Sequence, residues 1–488
     1  MNLKLLSCLC TIFLLIVVNE ANAMNQIRTY MAYSTPVDPA RLEVIPDMDL
    51  SYALASTLVE WGPDKKPVSG LALEWEPLAG NICQFRLRPE AKWSDGSPIL
   101  SQQIKKSFDR MFKKYPDDLR SLINMISEIK TPTKNTVEFI LRPGVVLKRF
   151  LGKLTEPNYG VVRVNTDDTL NLHVTTGPFY LQKSTSSELV LKRNPNWHRF
   201  EGGVAEEVII RRPPVKLSSE TALLDDKWPN VIETSSLIDS VTRSKYEAAH
   251  FSIWNRPKDK AFIFELSLRS SNENGFNLFR YIAAHIDRQN ITENLSGFSL
   301  SEQLFPEGFE LFNPDYKCAK NEVPLPIIFK ERPLEILISP ERVNPQLREN
   351  IRRTILKITG VAPTFISVPL DKLGISRKKG QYDFYAGTIG LADPDPEGGM
   401  SYYFEGDVPV IPSLNNDFIQ KLDKARKEND ETKAFRNMRL ILSDATCQGR
   451  VLPLYHLSTL ALGRPEVDFS SIPETDESAT LSKIRFKR

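Results

Sequence analysis

Hydrophobic and polar residues alternate along much of the chain with one of two periods. The segments VEFILR (137–142) and ELVLKR (188–193) alternate apolar and polar positions, which predicts two half-buried strands. The segment SQQIKKSFDRMFKK places Ile104 and Phe108 on one helical face, which predicts an amphipathic helix with Ser101 as its N-cap. Both patterns recur throughout the chain, so the sequence predicts an α/β protein with some antiparallel pieces.

One segment of the chain predicts that part of the sheet is parallel. An apolar strand at 335–339 is followed by Asn344 as a helix N-cap and Pro345 at the first helical position. An apolar stripe then runs to Gly360, which ends the helix, and TFISV supplies a second strand. A strand, a helix and a strand of this length predict a crossover between two parallel strands.

A hairpin is predicted in TTGPFYLQKSTSSELVLKRNPNW (175–197), which reads as two strands around a turn. Gly177 starts the first strand and lets another backbone or a ligand approach closely. A tight turn entering the strand is the other interpretation of this glycine.

The first 23 residues have the pattern of a secretory signal peptide. Lys4 precedes an apolar run, and Ala21-Asn22-Ala23 forms a small-x-small cleavage site. Cys8 lies before the apolar run, whereas a lipid-modified cysteine would follow it. We therefore expect an exported, soluble, periplasmic protein that starts near Met24 and has no lipid anchor. Its 465 residues (488 − 23) correspond to two or three domains of about 150 residues.

Charge and cysteine content narrow the function classes. The net charge of +2 does not favour nucleic acid or an anionic membrane as a partner. Three cysteines follow the signal segment, so an oxidising compartment allows at most one disulfide. Cys83 is interpreted as a small buried hydrophobic residue. Cys318 and Cys447 are able to pair, although the sequence does not give their distance.

Catalytic and metal-binding motifs do not appear in the sequence. The five histidines stand alone, with no HExxH pattern and no Cys-His cluster at metal spacing, and neither a GxSxG elbow nor a P-loop is present. We therefore expect no enzyme activity and no cofactor or resident metal.

The segment TIGLADPDPEGGMSYYF (388–404) is the strongest candidate for ligand binding. Asp393 and Asp395 flank Pro394, and Pro396 follows, so the backbone there is stiff and extended. Two carboxylates on such a loop can pair with the ammonium group of a solute. A solvated acidic turn is the alternative interpretation.

Several motifs, in order, resemble those of the family 5 extracellular solute-binding proteins, the periplasmic dipeptide, oligopeptide and nickel receptors of ABC importers. The motifs are LALEWEPLAGNICQFRLRPEAKWSDGSPILSQQIKKSFDRMF, TGPFYL with LVLKRNPNW, FRYIAAHIDRQNI and PDPEGGMSYYF. The resemblance implies a two-lobed periplasmic-binding-protein (type II) fold with an additional inserted α+β domain.

The same resemblance implies a division of the chain. After the signal peptide, 1–23, lobe I would be built from 24–50, 169–260 and 456–488, the inserted domain from 51–168, and lobe II from 261–455.

The resemblance also implies a ligand site between the lobes. In peptide-binding members an Asp of the loop corresponding to 390–396 takes the peptide α-amino group, so Asp393 is the first candidate and Asp395 the second. Ser34, Gly177 and Thr388 complete the predicted ligand site. The chain departs from the family pattern in this loop, where only one residue separates the two acids.

The function that these features predict is import of a small solute, most readily a short peptide, which a monomeric receptor would deliver to an inner-membrane ABC permease. A nickel or metal-chelate receptor is the alternative within the fold, with His173 as its one candidate ligand. An enzyme of the cell envelope and a receptor that presents its ligand to a membrane sensor are the remaining alternatives.

Overall fold

The structure is a computed structural model, and it describes residues 25–487 with several gaps. The residues outside the description are 32, 43–44, 63–65, 117–118, 200–204, 214–227, 235–239, 296–297, 319–322, 331, 392–419, 423, 426–427, 429, 471 and 473–479.

The helices and strands are numbered here in chain order. The helices are α1 (Ile45–Leu54), α2 (Ser101–Lys114), α3 (Arg120–Ile123), α4 (Leu147–Lys153), α5 (Ser240–Ala248), α6 (Glu273–His285), α7 (Arg288–Ile291), α8 (Pro345–Thr359), α9 (Leu370–Lys379), α10 (Glu431–Cys447) and α11 (Thr480–Lys483). The strands are β1 (Gln26–Tyr30), β2 (Val59–Trp61), β3 (Pro67–Ser69), β4 (Ala72–Leu78), β5 (Ile82–Leu87), β6 (Ile126–Thr133), β7 (Thr136–Leu141), β8 (Val162–Val164), β9 (Leu170–Thr175), β10 (Phe179–Ser184), β11 (Glu188–Arg193), β12 (Glu207–Arg211), β13 (Val231–Thr234), β14 (Ser252–Leu266), β15 (Phe298–Leu300), β16 (Glu335–Ile338), β17 (Thr364–Ser367), β18 (Phe384–Gly390), β19 (Val451–Gly463), β20 (Val467–Asp468) and β21 (Arg485–Phe486).

The first sheet is formed by the N-terminal strand and the predicted hairpin, in the order β1-β12-β11-β10. The hairpin prediction is confirmed, because β10 and β11 pair antiparallel. The apolar face of this sheet is buried in a cluster that also takes residues from the C-terminal segment, Val467 and Ile484 among them. Distant parts of the chain therefore share one core.

A second sheet, β4-β5-β7-β6, is antiparallel and carries α2. Its core runs from Ala40 to Val161 and includes the fully buried Trp93. The predicted strand at 137–142 and the predicted helix are confirmed here as β7 and α2, but the predicted N-cap is wrong. Leu100 occupies the cap position, and the Ser101 hydroxyl instead donates to the carbonyl oxygen of Thr133 at 2.6 Å.

A third sheet has the order β13-β19-β14-β18-β16-β17. Strand β16 pairs parallel with both β17 and β18, which confirms the predicted crossover. The connecting helix α8 begins as predicted, with the Asn344 side chain accepting from the Leu347 N–H at 2.8 Å, and it ends at Gly360 with φ of 80°. Among the described helices, none is both long and apolar enough to cross a membrane.

The long strands β14 and β19 connect the first core to the third sheet. Trp254 of β14 and Ala461 of β19 belong to the same cluster as the first sheet. Phe262 of β14 and Leu454 of β19 belong to the core around α8. The pairing of the two strands shifts register between Arg256 and Lys260. The two halves of the fold are thus joined by a pair of extended strands with an irregularity between the two cores.

The cysteines follow the expectations from composition. Cys83 is a fully buried free thiol in the core of the second sheet, as predicted. Cys318 and Cys447 form a disulfide with a Cα–Cα distance of 5.2 Å. The sequence alone left this pairing open, since 129 residues separate the two positions.

His198 provides a prediction for stability at low pH. Its side chain is 2% exposed, and its Nε2 lies 4.0 Å from Glu60 Oε1. Burial lowers the pKa of His198 to about 4, with help from the positive charges of Arg199 and Arg88. Because the folded pKa lies below the unfolded one, the stability that neutral His198 contributes is present above pH 6.5 and is lost as the pH falls towards 4.

We expect the unfolding free energy of the wild type to fall between pH 6.5 and 4 by up to about 3 kcal/mol more than that of H198Q. Urea denaturation across this pH range measures the difference. H285Q, which replaces an exposed histidine of α6, is the control and should follow the wild type. Identical pH profiles for H198Q and the wild type would contradict the assignment.

Candidate ligand-binding cleft

The carboxyl ends of the parallel strands define the candidate site. Strands β16, β17 and β18 all end at the same edge of their sheet, and ligands of open α/β sheets bind outside that edge. Gly390, the last residue of β18, pairs with Lys260 of β14. Since β14 changes core just before Lys260, this edge faces the junction between the two halves of the fold.

Arg342 is the most informative residue at this edge. It lies in the short loop between β16 and α8 and is only 9% exposed. Its Nη1 donates a hydrogen bond to the carbonyl oxygen of Thr388, whereas its buried Nε has no partner in the described part of the chain. Buried donors without a partner are rare. The guanidinium is therefore suited to donate a further hydrogen bond to an acceptor on a ligand or a neighbouring loop.

A buried polar network continues from Arg342 into the lobe. Tyr385 lies in β18, and the guanidinium carbon of Arg377 is 5.4 Å from its ring centre. Arg377 in turn pairs with Glu265 of β14 at 2.7 Å, and both side chains are nearly inaccessible. Burial raises the pKa of Glu265 to about 7, against the opposing charge of Arg377. Arg342 and Arg377 thus contribute two guanidinium groups to this region, and Glu265 contributes one carboxyl group.

Thr388, a predicted site residue, is 2% exposed and lies in β18 opposite Phe262. Its hydroxyl has no partner among the described residues, and its carbonyl oxygen takes the bond from Arg342. The structure therefore brings Thr388 and Arg342 together at the edge where the predicted acidic loop begins. Asp393 and Asp395 themselves lie outside the described residues.

Ser34, on the side of the first sheet, is held by helix α1. Its N–H donates to Asp47 Oδ1 at 2.8 Å and its hydroxyl to Asp47 Oδ2 at 2.7 Å. The preceding Tyr33 is buried and lies under Arg212, whose guanidinium carbon is 4.3 Å from the ring centre. Burial raises the pKa of Tyr33, and the charge of Arg212 opposes that rise. The carboxylate of Asp47 thus fixes the position of Ser34.

Gly177 contacts the end of the same helix. A Cβ atom at this position would lie 2.5 Å from the carbonyl carbon of Leu54. Its N–H donates to Leu54 O at 3.2 Å, and its own oxygen accepts from the Asn194 side chain at 2.8 Å. This close approach accounts for the Gly-Pro and Asn-Pro ends of the hairpin, which meet at this point. A ligand contact of Gly177 stays a prediction.

The candidate metal ligand His173 is an exposed residue of β9, and its Nδ1 is 2.6 Å from Leu181 O. No group of three or more His, Cys, Asp or Glu side chains suited to a metal ion occurs within the described ranges. The residue that sequence reasoning missed is Arg342. The sequence feature that could have pointed to Arg342 was its position between the strand predicted at 335–339 and the predicted N-cap Asn344.

Comparison with known proteins bears on the fold and the family resemblance. Residues 66–222 match the family model for bacterial extracellular solute-binding proteins, family 5 Middle. The periplasmic oligopeptide-binding protein OppA of Escherichia coli K12 is 34% identical over 74 residues, which cover 15% of this chain and 14% of that protein. The chain thus matches about one seventh of the length of this curated relative.

Solved structures match over nearly the whole chain. A dipeptide-binding protein of Pseudoalteromonas sp. SM9913 in complex with Met-Leu has a TM-score of 0.79 at 15% identity, and covers 95% of this chain and 100% of its own. NikA of Brucella suis in complex with Fe(III)-EDTA has a TM-score of 0.75 at 16% identity, with coverage of 95% and 100%. The chain therefore has the type II fold of periplasmic binding proteins, and the predicted resemblance to the family 5 extracellular solute-binding proteins is confirmed.

Proposed function

We propose that the chain is a solute-binding protein of an ABC import system. In this proposal it binds a short peptide between its two lobes and delivers the peptide unchanged to an inner-membrane permease, without catalysis. The fold, the family match over 66–222 and the peptide ligands named for similar proteins support the proposal. Ligand binding would favour the closed arrangement of the lobes, because only that arrangement contacts the ligand from both sides.

The buried guanidinium of Arg342 is the observation that carries the peptide proposal. A free peptide has a carboxylate at one end and an ammonium group at the other. Arg342 offers an unused donor beside Thr388, and the acidic loop that follows β18 offers carboxylates in Asp393 and Asp395. Opposite charges at one edge of the cleft match the two ends of a short zwitterionic chain. We propose that Ser34, Gly177 and Thr388 line the same cleft.

We also propose how the chain is divided into a signal peptide and domains, and where the protein acts. We infer that residues 1–23 are a signal peptide and that the remaining chain acts in the periplasm as a monomer without a lipid anchor. The three core regions support the division into lobe I, an inserted domain at 51–168 and lobe II. The joining strands β14 and β19 would be the hinge.

A receptor for an anionic metal chelate is the second candidate function. The structural similarity to NikA with Fe(III)-EDTA favours it, and Arg342 would attract a chelate carboxylate as readily as a peptide carboxylate. Direct metal ligation by His173 is less favoured, because within the described ranges His173 belongs to no group of three or more His, Cys, Asp or Glu side chains suited to a metal ion.

Native mass spectrometry of the protein as purified distinguishes these candidates. A ladder of added masses that correspond to short peptides supports the peptide receptor, and a single mass of a metal chelate supports the second candidate. An import assay in cells that lack the protein then separates a transport receptor from one that presents its ligand to a sensor. Hydrolysis of an added peptide library would instead identify an enzyme.

The acidic loop provides a prediction that is separate from Arg342. We expect D393N to weaken binding of a free dipeptide by a factor of about 10 or more, because a charge-assisted bond to the ammonium group is lost. D395N is the matched control, and isothermal titration calorimetry measures both affinities. If D395N is the weaker binder, Asp395 holds the ammonium group. If neither variant differs from the wild type, the loop does not bind it.

A further inference from the structure

A second cavity lies at the opposite edge of the parallel strands from the proposed cleft. It has a volume of about 480 Å³, and its lining includes Glu335 and Thr364, the first residues of β16 and β17. The proposed cleft lies at the carboxyl ends of the same strands. A strand rises about 3.3 Å per residue, so the seven residues of β18 separate the two edges by about 20 Å. The cavity is therefore a different site.

Asp383 lies beside this cavity and holds side chains of its wall in place. It is fully buried and accepts two hydrogen bonds from Arg332 at 2.6 Å, one to each carboxylate oxygen. It also accepts from the N–H of Glu335 at 2.9 Å and from the Ser270 hydroxyl at 3.2 Å. These bonds satisfy the carboxylate and fix the position of Arg332 in the cavity wall.

Arg269 has hydrogen-bond donors that do not bond to Asp383 or Glu335. Its Nη2 donates both to Glu335 Oε2 at 2.8 Å and to Asp383 Oδ1 at 3.1 Å. Its Nε and Nη1 have no protein partner among the described residues, and the side chain is 42% exposed. A guanidinium group has donors but no acceptor. The Nε and Nη1 donors are therefore available to an acceptor, and a carboxylate oxygen forms the strongest bond with either of them.

Part of the remaining wall is apolar, beside the polar residues Asn272 and Asn274. Ile328 and Phe329 lie in a short 3-10 helix, with Ile328 48% exposed and Phe329 buried, and Pro333 follows them. The exposed Ile328 lies beside a concave surface, where the apolar part of a ligand can pack against it. We propose that this cavity binds a small organic carboxylate, with Arg269 on the carboxylate and Ile328 and Phe329 against the apolar body.

N-acetylphenylalanine is a suitable probe. It has a carboxylate and an aromatic ring, and its blocked amine removes the ammonium group that the proposed cleft would bind. Its matched neutral partner is N-acetylphenylalaninamide. Saturation-transfer NMR on the purified full-length protein gives both affinities. We expect saturable binding of the acid, and binding of the amide that is weaker by a factor of about 10.

Three variants locate the binding. R269Q should weaken binding of the acid to the level of the amide. R353Q, which removes a similarly exposed arginine that pairs with Glu293 at 2.7 Å on the same lobe, should leave it unchanged. R342Q separates the two sites, because a probe that bound in the proposed cleft through Arg342 would lose its binding in this variant. Thermal unfolding of each variant verifies that it is folded.

The proposal is overturned if the acid shows no saturable binding or if the acid and the amide bind equally well. It is also overturned if R269Q binds the acid as the wild type does, or if R342Q abolishes binding, since the probe would then occupy the cleft. The comparison of R269Q with the wild type does not depend on whether the protein binds peptides in the cleft.

Discussion

The R342Q variant is expected to bind a free dipeptide at least about 30-fold more weakly than the wild type, since loss of one partner of a buried charged pair costs about 2–5 kcal/mol. Arg342 is 9% exposed, and its Nε has no partner in the described part of the chain. Because the side chain is buried, water does not readily replace its hydrogen bonds to a ligand when it is removed. The probe is the best-bound member of a dipeptide library, compared with its C-terminal amide by isothermal titration calorimetry. The wild type should discriminate strongly between the acid and the amide, and R342Q should bind them equally.

The control for this experiment is R348Q. Arg348 lies on the helix that follows the same loop, and its guanidinium packs 4.9 Å from the ring centre of Phe365 at the surface. Its loss should leave dipeptide affinity unchanged. If R342Q still prefers the acid over the amide as strongly as the wild type does, Arg342 does not bind the peptide carboxylate. The comparison of acid with amide in the wild type remains informative even if R342Q folds poorly.

The R377M variant is expected to lower the unfolding free energy by about 3–5 kcal/mol, because it leaves the carboxylate of Glu265 buried without its partner. The two side chains are 12% and 2% exposed and lie 2.7 Å apart. Without Arg377 the pKa of Glu265 rises further above its unfolded value. The stability deficit should therefore be largest above pH 7 and smaller near pH 5, where Glu265 takes up a proton. Urea denaturation at the two pH values measures both effects.

Two comparisons test the cause of this loss. R352M breaks an exposed pair with Glu349, in which the side chains are 41% and 46% exposed, and should cost less than about 1 kcal/mol. The double variant E265L/R377M should recover most of the lost stability, because it leaves no unpaired charge. A double variant as unstable as R377M would show that packing around Arg377, rather than its charge, is responsible.

Local structure was predictable where its cause is local. The helix α8 begins and ends as predicted because its cap Asn344 and the left-handed Gly360 act within one helical turn. The strands β7 and β11 follow from alternation alone. The N-cap assigned to Ser101 is wrong for the converse reason, since its hydroxyl bonds to Thr133, 32 positions away.

The candidate site was predictable only in part. The loop after β18 stands out in the sequence because Asp and Pro alternate there. Arg342, in contrast, is one of 63 Lys and Arg residues, and its burial depends on the pairing of β16 with β18, about 50 positions away. The Cys318–Cys447 bond likewise depends on packing across 129 positions.

The central claim is that two lobes joined by β14 and β19 close on a ligand and release it intact. Small-angle X-ray scattering of the purified protein, with and without a saturating dipeptide, tests this claim most directly. The account predicts a smaller radius of gyration with the dipeptide and recovery of the original value after the dipeptide is removed. An unchanged radius of gyration in a sample that calorimetry shows to be saturated would contradict it.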